Sequence, residues 1–117
     1  MSESGVEIPR PPQPKLPPRL PIEPLGGSVD FELAVPGSKS ITNRALVLGA
    51  LADGPLALTG ALFADDTFYM IEALRRLGFE VSADPGALTV RIAGLGGKIP
   101  AREADLYIGN AGTVMRF

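Results

Sequence analysis

Between Val29 and Val35 the chain alternates: Val29, Phe31, Leu33 and Val35 take one side, Asp30 and Glu32 the other. A period of two predicts a half-buried strand over 28–35, closed by Pro36-Gly37. From Ser40 the period becomes helical. Ile41, Ala45, Leu48 and Ala52, with Leu51 beside them, predict an apolar stripe, and Gly54-Pro55 its end. "LALTGAL" (56–62) alternates again as a strand. Asp65-Asp66-Thr67 opens a second helix, with acids where the helix dipole favours them. Met70, Ile71, Leu74 and Leu77 form its stripe, Glu72 and Arg76 pair at i,i+4, and Gly78 followed by Phe79 closes it. Residues 79–92 read as a hairpin around Asp84-Pro85-Gly86. A Gly-rich surface connection follows, then a short strand, the turn Gly109-Asn110-Ala111-Gly112, and the first turn of a third helix, which Thr113 caps.

That order predicts a mixed α/β (α+β) domain over residues 27–117, with helices packed on a sheet. Its last helical turn, Met115-Arg116-Phe117, is too short to stand alone. The chain is therefore expected to be the front part of a longer protein. Residues 1–26 hold eight of the twelve prolines and predict an extended, disordered leader. Pro11 to Pro14 and Pro14 to Pro17 fit the P-x-x-P pattern that aromatic-lined grooves bind.

Composition narrows the chemistry. The 117 residues contain no His and no Cys. That removes thiol nucleophiles, disulfides, the usual zinc ligands and the common neutral-pH base. The net charge of −2 gives no global attraction to nucleic acid or an anionic membrane, so any anion site is local. No apolar run is long enough to span a bilayer. With no signal-peptide core at the N-terminus either, the chain reads as cytoplasmic.

Two stretches carry candidate anion chemistry. In Gly37-Ser38-Lys39-Ser40-Ile41-Thr42-Asn43-Arg44, a helix N-terminus coincides with a Lys, a Ser and an Arg. Unpaired N–H groups and the dipole attract anions there. Ser40 and Arg44 are i and i+4, so they share a face, and Asn43 is close to it. Lys39 adds a compact charge and Arg44 a fork suited to phosphate or carboxylate. The bland reading is a Ser-capped helix with two solvated cations. A nucleotide P-loop is excluded, because Lys39 follows Ser38 rather than Gly. In the second stretch, Gly109 to Thr113, a strand again runs into a glycine turn and a helix start, with Arg116 following. Asp65-Asp66 reads as a helix start rather than a metal site.

Together, "PGSKSITNRALVLGALADG" and "GNAGTVMRF" resemble the enolpyruvyl transferases, and within them the EPSP synthases. The resemblance runs from about Val29 to Phe117. It implies a two-lobed fold built from β-α-β-α-β-β units. It also implies transfer of the carboxyvinyl group of phosphoenolpyruvate to the 5-hydroxyl of shikimate 3-phosphate, in aromatic amino acid biosynthesis, without metal or organic cofactor. By position, it assigns Lys39, Ser40 and Arg44 to shikimate 3-phosphate, and Lys39, Asn110 and Gly112 to phosphoenolpyruvate. Glyphosate competes for the latter pocket in the family. No catalytic acid or base is assigned within these residues, so the chain alone is expected to be inactive, with the remainder of the enzyme as a possible separate chain. Val114 and Phe117 differ from the Ala and Pro common in the family. Two alternatives stay open: a UDP-N-acetylglucosamine enolpyruvyl transferase, whose first motif usually carries Lys-Asn at 39–40, and a non-catalytic anion-binding or interaction module recruited through the Pro-rich leader.

Overall fold

The computed structural model describes residues 14–117. Its elements run α1 (Lys39–Leu51), β1 (Asp53–Thr59), α2 (Asp65–Arg76), β2 (Val81–Asp84), β3 (Thr89–Leu95) and α3 (Gly112–Arg116). The chain divides into two units, Met1–Val35 and Pro36–Phe117. All six elements belong to the second.

The three strands form one antiparallel sheet in the order β1-β3-β2. Leu56 pairs with Ile92, and Ile92 with Val81. Leu58 pairs with Val90 in the same way, so inward-facing apolar residues line up across the sheet. Helices α1 and α2 pack on this face and on each other. Leu46, Ile71, Val90 and Ile92 are fully buried between the layers. Burying a side chain of that size contributes about 1.5–3 kcal/mol relative to leaving it exposed.

Helix α2 follows its sequence closely. Met70, Ile71 and Leu74 are buried, and Arg76 Nε meets Glu72 Oε1 at 3.3 Å. It closes as a Schellman motif: Gly78 N–H donates to the Arg75 carbonyl and Phe79 N–H to the Leu74 carbonyl, both at 3.0 Å. Gly78 supplies the left-handed φ of 98° that this closure requires. The buried Phe79 is its apolar contact, and the β2–β3 hairpin follows as the sequence indicates.

Helix α1 departs from expectation. Its buried residues are Thr42, Asn43, Leu46, Gly49 and Ala50. Ile41 and Leu48, members of the predicted stripe, are 65% and 68% exposed. The inward row contains small residues because the helix sits close on the sheet. A Cβ on Gly94 of β3 would overlap the carbonyl oxygens of Gly49 and Ala52, and one on Gly49 would come within 2.8 Å of Ile92 Cγ2. Large side chains do not fit that seam, so they face outward.

Other boundaries shift too. Helix α1 ends at Leu51, and Gly54-Pro55 lie inside β1 instead of stopping the helix. Pro55 is tolerated because β1 is an edge strand. The predicted strand over 28–35 does not form. Val29, Phe31, Leu33 and Val35 are all exposed, and no described residue pairs with them. Alternation makes a strand amphipathic, but only a neighbouring strand satisfies its backbone. Residues 104–108 likewise form no strand. The leader motif Pro11 to Pro14 begins outside the described residues, and residues 14–27 carry no helix or strand.

Candidate functional site

The site is built around the N-terminus of α1. Ser38 is its N-cap, and its hydroxyl accepts from Ile41 N–H at 3.3 Å. Gly37 precedes it with an ordinary φ. Its smallness serves a close approach, because a Cβ there would overlap the Gly60 carbonyl oxygen. Thr42, one turn on, is buried. Its hydroxyl donates to the Ser38 carbonyl at 2.8 Å and accepts from Leu62 N–H at 3.1 Å. The Leu62 carbonyl in turn accepts from the Thr67 hydroxyl at 2.8 Å. Two threonines thus hold the 60–64 connection and align the first turns of α1 and α2.

One result is an ion pair across that junction. Lys39 Nζ lies 3.0 Å from Asp66 Oδ2. Ala64, not an aspartate, is the N-cap residue of α2, and Asp65 and Asp66 lie in its first turn. Asp66 therefore has a tertiary role that its helix position alone does not reveal.

The third wall comes from α3. Its N-cap is Ala111, with no side-chain cap, so Thr113 does not cap the helix. Instead, the Thr113 hydroxyl accepts from Asn43 Nδ2 at 2.8 Å. Asn43 is completely buried, whereas Ser40 and Arg44 line the depression itself. Arg44 reaches the end of α3, its guanidinium 5.7 Å from the centre of the Phe117 ring, within cation–π range.

These elements enclose an open depression of about 380 Å³. Lys39, Ser40 and Arg44 line it from α1, Asp66 from α2, and Asn110, Gly112, Thr113, Arg116 and Phe117 from the third wall. All five residues assigned from the sequence therefore border one space. Three cations face one carboxylate there, in a chain whose net charge is −2. Such a local excess attracts anions. Asp66 as a wall residue is not legible in the sequence, because its place there depends on the tertiary pair with Lys39. A larger trough lies between Pro55, Arg75, Ser82 and Arg91, away from this cluster. Among the described residues there is no helix long and apolar enough to cross a membrane, and no group of three potential metal ligands.

Comparison with known proteins gives a consistent result. The family model for EPSP synthase (3-phosphoshikimate 1-carboxyvinyltransferase) matches residues 24–117. A 3-phosphoshikimate 1-carboxyvinyltransferase of Opitutus terrae is 50% identical over 103 residues, covering 87% of this chain and 24% of the relative. The Nostoc punctiforme enzyme of the same name is 45% identical over 93 residues, covering 80% and 22%. The solved EPSP synthase of Acinetobacter baumannii superposes with a TM-score of 0.64 at 37% identity, over 72% of this chain and 19% of that one. The chain thus spans about a fifth to a quarter of the length of these relatives.

Proposed function

The chain belongs to the EPSP synthase family, and from that premise we propose that it forms the anion-binding wall of an enolpyruvyl transfer site. The reaction moves the carboxyvinyl group of phosphoenolpyruvate onto the 5-hydroxyl of shikimate 3-phosphate and releases phosphate. Both substrates carry a phosphate and a carboxylate.

One observation supports this most: Lys39, Ser40, Arg44, Asn110 and Gly112 border the same depression. Arg44 and Ser40 suit the phosphate of shikimate 3-phosphate, as fork and hydroxyl on one helix face. Lys39 and the Asn110–Gly112 turn line the same depression and are assigned to phosphoenolpyruvate. The wall's contribution is charge and orientation. Addition to the double bond requires a proton on the methylene carbon and loss of the hydroxyl proton. Asp66 is the one carboxylate among the lining residues, and it is engaged with Lys39. The proton transfers are therefore assigned to groups outside this wall, and the 117-residue chain is expected to show no turnover in a phosphate-release assay. Family membership favours shikimate 3-phosphate over a UDP-sugar as co-substrate, and a cytoplasmic setting fits that metabolism.

Calorimetric titration with shikimate 3-phosphate tests the reading. Lys39→Ala and Arg44→Ala should each weaken binding by about 1.5–3 kcal/mol, the contribution of a charged hydrogen bond. Unchanged affinity in both variants would reduce the two cations to solvated helix residues and sink the proposal.

A further inference from the structure

The bond between Asn43 and Thr113 joins α1 to α3 across 70 positions of sequence. On the reading of the site given above, we infer that this pair is a positioning device, which couples the α1 side of the depression to the Gly112 side. Asn43 occupies the turn of α1 that carries Ser40 and Arg44, and Thr113 follows Gly112 directly. A shift of either helix end is thus transmitted through one part-buried hydrogen bond.

Two further features carry the inference. Helix α3 has only five residues, too few to hold itself. Val114 is its one buried side chain, while Met115, Arg116 and Phe117 are exposed. Val114 and the buried N-cap residue Ala111 fix its depth but, as small apolar anchors without directional bonds, leave it some freedom to turn. The Asn43 bond removes that freedom, and with it the choice of where Gly112 stands relative to Lys39. The second feature is an apparent cost. Asn43 Oδ1 is buried without a hydrogen-bond partner. An unsatisfied buried acceptor destabilises a fold, and an apolar residue avoids the penalty. A polar side chain held at a loss to stability points to a role in the site.

The pair also sets a hydroxyl. Because Thr113 Oγ1 accepts from the amide of Asn43, its own proton is directed elsewhere. Thr113 lines the depression, so an anion oxygen seated there is an available acceptor. Ligand arriving on the α1 side then meets an α3 side already oriented.

The test uses the 117-residue chain, with amide NMR shifts read during titration with shikimate 3-phosphate and then phosphoenolpyruvate. In the native chain, shikimate 3-phosphate is expected to shift amides in both Lys39–Arg44 and Gly112–Arg116. Replacing both partners by apolar groups, Asn43→Leu with Thr113→Val, avoids leaving either one unpaired. In that variant the shifts should remain on Lys39–Arg44 and disappear from Gly112–Arg116. Affinity for phosphoenolpyruvate should fall about five- to tenfold, the equivalent of one hydrogen bond. Thr113→Ser, which keeps the hydroxyl, should behave as native; a merely structural pair predicts that the ligand shifts on Gly112–Arg116 survive in the apolar variant too. Asn43→Ala is read the same way and serves if the paired variant does not fold. Native shifts and affinities in the variants would overturn the inference alone. No shift with either ligand in the native chain would overturn it together with the proposed function.

Discussion

Lys39 Nζ and Asp66 Oδ2, 3.0 Å apart, join the first turns of two helices at the edge of the cation-lined depression. The pair is partly solvated, with Lys39 44% and Asp66 19% exposed. Its direct contribution to stability is therefore small. Its larger consequence is for ligand: Asp66 is a negative charge that any anion approaching Lys39 must displace or tolerate.

Asp66→Asn should accordingly bind inorganic phosphate more tightly, by about two- to fivefold at low salt, with the gain shrinking as salt screens the site. Stability should fall by about 1 kcal/mol or less, from the lost pair and the lost dipole interaction. Phosphate titration by calorimetry at two ionic strengths checks the first part and urea unfolding the second. Weaker phosphate binding in the variant would mean that Asp66 serves to orient Lys39 rather than to compete for it.

Gly112 separates folding from binding. A Cβ built there meets no protein atom within 4 Å, yet the residue lines the depression. Gly112→Ala should leave stability unchanged or raise it by up to about 1 kcal/mol, since Ala favours the helix. Phosphoenolpyruvate binding should weaken at least threefold because the added methyl occupies ligand space. Equal affinity for the two proteins would place phosphoenolpyruvate elsewhere.

The two sides of α1 should respond unequally to truncation. Leu46 is fully buried and Leu48 is 68% exposed. Leu46→Ala should cost about 2–5 kcal/mol through lost burial and the cavity left behind. Leu48→Ala should stay within about 0.5 kcal/mol of native. Urea midpoints of the two variants decide the matter, and a larger loss at Leu48 would restore the outward stripe to the core.

Where β3 passes under the end of α1, backbone meets backbone. A methyl on Gly94 would overlap the carbonyl oxygens of Gly49 and Ala52, which no rotamer change can relieve. Gly94→Ala should cost about 3 kcal/mol, the upper end of overpacking. Gly49→Ala meets side-chain rather than backbone atoms, Ile92 Cγ2 at 2.8 Å and Leu56 Cδ2 at 3.2 Å, and should cost less, about 1–2 kcal/mol. Denaturant unfolding of both variants measures the difference; equal losses would contradict the close approach.

Features made by neighbours along the chain were legible in the sequence. The end of α2 is local chemistry, with Gly78 and Phe79 sufficient to announce it. The β2–β3 hairpin is likewise carried by its turn, and the i,i+4 pair of Ser40 and Arg44 by helical spacing. Features made by distant partners were not. Apolar periodicity on α1 fits the row of Ile41 and Leu48 better than that of Thr42, Leu46 and Gly49. Only the closeness of the sheet selects the second. Alternation over 28–35 describes an amphipathic segment but supplies no strand to bond with it. The inward turn of Asn43 depends on Thr113, and the role of Asp66 on the two threonines that align α1 with α2. No local pattern encodes either.

The register of the sheet also implies an order in time. Strands β2 and β3 meet across a short turn, whereas β1 pairs with β3 only after α2 and β2 have been bridged. Closing the shorter loop costs less entropy. Loop entropy therefore favours the hairpin and the closed end of α2 forming before β1 joins. Because β1 follows α1 directly, its late arrival brings the helix that carries Lys39 and Arg44 onto the sheet in the same step. On loop entropy alone, the hairpin is favoured to form before the α1 side of the charged wall is in place.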